Sequence, residues 1–151
     1  MANFPGGIPS AADYLPDWTS KRIVFLERSH RWAPAVETEL RSSGGSALPQ
    51  FSIDSCAVAR EASQLLELKN SIGLVLFLDG IERDCLDLLG RVARSFREFP
   101  VLAVGLTPHR GLMPVLMESG VQSILFDPFD DVSIADWCLG VIRHSRGGVR
   151  T

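Results

Sequence analysis

Ile72-Gly73-Leu74-Val75-Leu76-Phe77-Leu78, followed by Asp79-Gly80, is apolar at every position except Gly73. A strand with one wet face alternates apolar and polar residues; an unbroken apolar run belongs to a strand covered by helices on both faces, the hallmark of a parallel sheet. The run is also far short of the roughly 18 apolar residues that cross a bilayer. It is therefore placed at the centre of a buried sheet. On its C-terminal side, a helix is expected from about Asp84 to Glu98, with Cys85, Leu89, Val92, Ala93 and Phe96 inward and Arg91, Arg94 and Arg97 outward. On its N-terminal side, Val58, Ala62, Leu65 and Leu66 mark the inner face of another helix, capped by Asp54 or Ser55 and preceded by a weaker strand, Gln50 to Ile53.

The same strand-then-helix pairing continues in both directions. Arg22 to Leu26 is an apolar strand, Ser29 a candidate cap, and Trp32, Ala33, Val36 and Leu40 one helical face that ends at Gly44-Gly45. Val101 to Leu106 is a fourth strand; Pro108, Gly111 and Pro114 then make the following helix short and irregular. Val121 to Phe126 is a fifth strand, and after Pro128 a last helix turns Ile134, Trp137, Cys138, Val141 and Ile142 inward. Strict alternation of strands and helices predicts an α/β, flavodoxin-like, doubly wound parallel sheet of order 2-1-3-4-5 with five helices. Residues 1–20 form a Pro/Gly-rich N-terminal segment whose Tyr14, Leu15 and Trp18 are too apolar for a solvated tail, residues 21–146 the domain, and residues 147–151 a short tail.

Composition narrows the function classes. Fifteen Lys+Arg against 18 Asp+Glu give a net charge of -3, and the basic residues are dispersed, so nothing draws the chain to nucleic acid. The stripe Arg83, Arg91, Arg94 and Arg97 reads as a solvated helix face. Three scattered cysteines, Cys56, Cys85 and Cys138, suit neither a disulfide framework nor a zinc site and are read as reduced core thiols. There is no secretory signal pattern, so a cytoplasmic location is expected. His30, His109 and His144 are too far apart for a helical metal pair and are read as surface or capping residues. No Gly-x-Ser-x-Gly and no phosphate-binding glycine motif is present.

In a doubly wound sheet, ligands bind at the carboxyl ends of the strands, which places Glu27, Arg28, Leu78, Asp79, Gly105 to Thr107 and Asp127 around any site. Over residues 21–145 the chain resembles the response-regulator receiver (CheY-like) domain family. The resemblance rests on Gly120-Val121-Gln122-Ser123-Ile124-Leu125-Phe126-Asp127-Pro128-Phe129, with Glu61-Ala62 and Leu65-Leu66 in the second helix and Leu86 to Leu89 in the third. It implies a signalling module that is not an enzyme. Family members hold magnesium on an acidic pair after the first strand, phosphorylate an aspartate after the third, and use a Thr or Ser after the fourth and a Lys before the Pro. Here those places read Glu27-Arg28, Phe77, Gly105 and Asp127, and Ile124 replaces the aromatic switch residue. A guanidinium beside a dication site and an anion in place of the lysine oppose phosphoryl transfer.

The expectation is a degenerate pseudo-receiver without cofactor, acting through a signalling protein partner or a homodimer. The resemblance places its contacts on the fourth helix, fifth strand and fifth helix, at Arg110, Glu118, Gln122, Ala135 and Leu139, with Leu139 as exposed apolar surface. The alternative slides two strands by two residues and makes Asp79 a phosphoacceptor, with Thr107 as switch hydroxyl and Mg2+ as cofactor. Against it, Asp79-Gly80 is ordinary turn chemistry. The acids Glu27, Asp79 and Asp127 gather a cation in one reading; in the favoured one, Arg28 pairs with Asp79 or Asp127.

Overall fold

Lys21–Leu26 (β1) enters the core with Ile23, Val24, Phe25 and Leu26 all buried, as a strand with no wet face must. A computed structural model describes residues 20–44, 50–95 and 98–148. The expectations for the N-terminal segment before Ser20, for Gly45, and for Phe96 and Arg97 fall outside the described residues. After β1 come α1 (Trp32–Gly44), β2 (Phe51–Cys56), α2 (Ala59–Leu66), β3 (Ser71–Phe77), α3 (Glu82–Ser95) and β4 (Val101–Gly105). A 3-10 turn (Thr107–Leu112) leads into α4 (Met113–Glu118), then β5 (Ser123–Phe126) and α5 (Asp131–Gly148). All pairings are parallel and the order is β2-β1-β3-β4-β5, the flavodoxin-like arrangement expected, with β3 central.

The sheet separates two apolar clusters. Val24, Leu26, Leu74, Leu76 and Leu78 face α2 and α3, whereas Ile23, Phe25, Val75 and Phe77 face α1 and α5. Each fully buried Leu, Ile or Phe side chain removes enough apolar surface to contribute about 1.5–3 kcal/mol. Gly73 lets α5 approach β3 closely, since an added Cβ would lie 3.3 Å from Val141 Cγ1 and 3.4 Å from Trp137 Cη2.

Several boundaries differ from the sequence reading. β2 continues through Asp54, Ser55 and Cys56, all paired with β1, so neither Asp54 nor Ser55 caps α2. Asp54 instead pairs with Arg22 across the strands, Nε to Oδ2 2.6 Å. The cap position falls to Val58, which is extended and 45% exposed rather than inward. In α3, Leu88 is buried and Ala93 exposed, because the helix starts at Glu82 and its inner face is centred on Cys85, Leu88, Leu89 and Val92. α5 runs through Gly147 and Gly148, where a tail was expected.

Candidate functional site

The first strand end is built by α1. Arg31 precedes the helix and cannot cap it, so the exposed backbone donors need another acceptor. Glu27 supplies it: Trp32 N–H donates to Oε1 at 2.8 Å and Ala33 N–H to Oε2 at 2.9 Å. Pro34, next in the turn, has no N–H to satisfy. The expected cap, Ser29, is exposed and makes no such bond. Ser55 Oγ donates to Glu27 Oε2 at 3.2 Å, so the 2.6 Å contact between His30 Nδ1 and Ser55 Oγ requires the proton on Nδ1. Glu27 is 1% exposed, with both oxygens engaged.

Arg28 lies over the β3–α3 turn. Gly80 has φ +80°, a backbone conformation that favours glycine, and a Cβ there would fall 2.7 Å from Arg28 Cζ, so any side chain would also displace the guanidinium. The expected pairing of Arg28 with Asp79 or Asp127 is not formed: among the described residues the arginine ion pairs are Arg22–Asp54 and Arg41–Glu37. Asp127 instead accepts a 2.9 Å hydrogen bond from Thr107 Oγ1. Glu27, Asp79 and Asp127 are not gathered either; among the described residues no three His, Cys, Asp or Glu side chains are placed to hold a metal. Magnesium chemistry does not fit this donor set, because the one buried acid has spent its oxygens on α1 and its neighbour is a cation.

Phe77 and Gly105 end β3 and β4, while Asp79 lies in the turn after β3 and Thr107 opens the 3-10 turn after β4. Phe77 stacks on Trp32, ring centroids 6.0 Å apart and 10° from parallel, and Phe129 tilts against the same indole at 5.3 Å. A Cβ on Gly105 would meet Leu78 Cδ1 at 3.0 Å, His109 Cβ at 3.1 Å and Phe126 Cε1 at 3.2 Å, leaving no room for a hydroxyl-bearing side chain without displacement. These strand ends surround a cleft of about 160 Å³ lined by Glu27, Arg28, Arg31, Trp32, Phe77, Asp79, Gly105 and Phe129 among others; Thr107 is not on its wall.

His109, read as surface or capping, is buried and caps. Its Nδ1 accepts from Leu106 N–H at 2.9 Å and its Nε2 donates to Glu82 Oε2 at 2.8 Å, tying the β4–α4 loop to the start of α3. Glu82's carboxyl is held below its ordinary range by its own backbone N–H and by His109. The three cysteines are free and buried, as expected for core thiols. Burial pushes Cys56 up to about 11 and Cys85 up to about 12, and raises Cys138 as well, so none is a nucleophile at neutral pH.

No protein-family model matches the chain, and neither does any curated protein sequence. Solved structures do. The receiver domain of response regulator 1452 from Francisella has 14% identity over 83% of this chain and 99% of that one, with a TM-score of 0.65. The signal receiver domain of a putative Luxo repressor protein from Vibrio parahaemolyticus has 15% identity over 84% and 93%, TM-score 0.67. A CheY-like response regulator receiver domain protein from Methanospirillum hungatei has 11% identity over 85% and 98%, TM-score 0.67. The chain has the receiver-domain fold. On that fold, Arg110, Glu118 and Gln122 are exposed, with Arg110 Cζ 4.8 Å from the centroid of the Phe126 ring.

Two of the expected contact residues on the receiver fold are misplaced. Ala135 is 3% exposed and Leu139 is half-buried against the α1 and α5 cluster, because α5 packs on α1 as well as on β3 and buries a wider stripe than the 3.6-residue period marks. The exposed large apolar side chains of α4 and α5 are Val115, Met117 and Val132 instead. Sequence reasoning missed them; the shortness of α4, which leaves only Leu116 buried, was the available signal. No helix among the described residues is long and apolar enough to cross a membrane.

Proposed function

We propose that this chain is a non-enzymatic signalling module that works by protein–protein contact, without aspartate phosphorylation and without a cofactor, in the cytoplasm. The observation that carries this reading is the commitment of both Glu27 oxygens to α1 and Ser55. A receiver that transfers phosphoryl groups needs that acid free for a metal, a carboxylate at the strand end now occupied by Phe77, and a cation where Asp127 accepts from Thr107. The partner surface is the α4–β5–α5 side, where Arg110, Glu118 and Gln122 surround exposed Val115 and Met117, and it serves either a signalling protein or a second copy of the chain. Neither a membrane nor nucleic acid is a partner in this reading.

One observation favours a second reading. Asp79 is exposed at the cleft and its side chain has no hydrogen-bond or ion-pair partner among the described residues, as a phosphoacceptor using Mg2+ and Thr107 would require. Intact-mass measurement after incubation with acetyl phosphate and magnesium separates the two. The expected result is no change in mass; gain of one phosphoryl group, abolished by Asp79→Asn, overturns the proposal. For the contact role, sedimentation or pull-down of the full chain should lose its partner or dimer with Met117→Glu while the fold, read by circular dichroism, is kept. Unchanged association in that variant removes this face from the proposal.

A further inference from the structure

The cleft at the strand ends has properties that the contact-based role leaves unused. Its walls are aromatic, with the half-exposed Trp32 and Phe129 beside the nearly buried Phe77. Its rim carries two guanidinium groups, Arg28 and Arg31. Neither has a carboxylate within ion-pair distance among the described residues; Arg31 rests only on the Trp32 ring, 4.9 Å from its centroid. The nearby acid Glu27 is buried, with its oxygens accepting from the N–H groups of Trp32 and Ala33, and it forms no ion pair with either arginine. Asp79 is the remaining carboxylate on the wall, and it is exposed.

Size then selects the ligand. A volume of about 160 Å³ is that of a cavity which takes a single benzene-sized ring, and it is too small for a nucleotide. The faces of the Phe77 ring are taken up by Phe25 and Trp32, so the half-exposed Trp32 and Phe129 are the rings that suit an aromatic ligand, by edge contact, and two exposed guanidinium groups suit a carboxylate by charge-assisted hydrogen bonds. From these features we infer that the cleft binds a small aromatic monocarboxylate, its ring against Trp32 and Phe129 and its carboxylate toward Arg28 and Arg31. The inference does not depend on the partner surface proposed above, because binding is read on the chain alone.

Benzoate is the test ligand, titrated into the full 15N-labelled chain at constant ionic strength and followed by amide spectra. Saturable shifts are expected at residues 28–32, 78–80 and 105–106, with a Kd of about 1 mM given so few ligand atoms. Arg28→Ala or Arg31→Ala should each weaken binding about tenfold, the worth of one charge-assisted hydrogen bond. Asp79→Asn should tighten it about two- to fivefold by removing a like charge. Benzyl alcohol, which keeps the ring and lacks the charge, should bind at least about tenfold more weakly, and acetate, which lacks the ring, likewise. Because Arg28 and Arg31 are exposed, the variants' own amide spectra are expected to match the parent. Non-saturating or scattered shifts, equal binding of benzyl alcohol, or arginine variants that bind like the parent overturn the inference. Should Arg28→Ala disturb the fold, Arg28→Lys provides the same test, with binding retained in part.

Discussion

Replacing Glu27 by glutamine keeps the shape of the side chain and removes one acceptor. The amide would then point an N–H₂ group at a backbone N–H of α1 inside a site that is 1% exposed. Leaving a buried donor unpaired costs roughly 1–3 kcal/mol, so Glu27→Gln is expected to lower the unfolding free energy by that amount at neutral pH, read as a lower urea midpoint with the slope unchanged. A variant as stable as the parent would show that the cap is dispensable. The role of Glu27 was half-legible in the sequence. Pro34 within its first turn marks the helix start, but the sequence offered Ser29 as the cap, and nothing in a one-dimensional pattern says that an acid five residues before Trp32 folds back to provide it. Arg28 was misread for a related reason: charge complementarity suggested a carboxylate partner, and the turn geometry at Gly80 gave its guanidinium a surface to lie on.

At the scale of the element, α5 shows both what periodicity reveals and where it stops. Ile134, Cys138 and Ile142 are buried as their spacing predicts, whereas Ala135 and Leu139, one position around the helix, are covered or half-covered by α1. A stripe can be read from one helix, but its width depends on how many neighbours pack against it. The start of α5 carries a pH signature. Asp130 Oδ1 accepts from the N–H and the hydroxyl of Ser133, both at 2.9 Å. The backbone N–H first, and then the hydroxyl, hold the Asp130 carboxyl below its ordinary 3.8. A carboxyl whose folded-state pKa is depressed stabilises fully above the ordinary aspartate range, and that contribution is lost as pH falls through the lowered value. Asp130→Ala should therefore melt at a lower temperature than the parent at neutral pH, and the gap should close as the solution is acidified below 3.8. Thermal melts followed by circular dichroism read this directly, and a gap independent of pH would contradict the capping role.

Across the whole molecule, the parallel, two-sided sheet was the most legible feature, because the unbroken apolar runs of β1, β3 and β4 demand cover on both faces and the strands alternate with helices that supply it. The two-sided core also shelters Cys56, Cys85 and Cys138, which lie on three different elements. With burial raising every thiol, labelling by a thiol reagent should require global opening, so the three sites should react at one common rate that rises together with urea. Rapid labelling of any one of them in native buffer would show that its element opens separately. Three strand ends, finally, have an anchor of their own: Glu27 after β1 holds α1, His109 holds the β4–α4 loop to α3, and Thr107 holds Asp127 beside β5. These anchors would resist any attempt to install metal chemistry here. Aspartates at positions 28 and 77 and a lysine at 127 would add charges but no coordination sphere, because Glu27 would still be occupied with the helix. A capping residue at position 31 would have to be introduced first, so the outcome of such a redesign depends on the order of its steps.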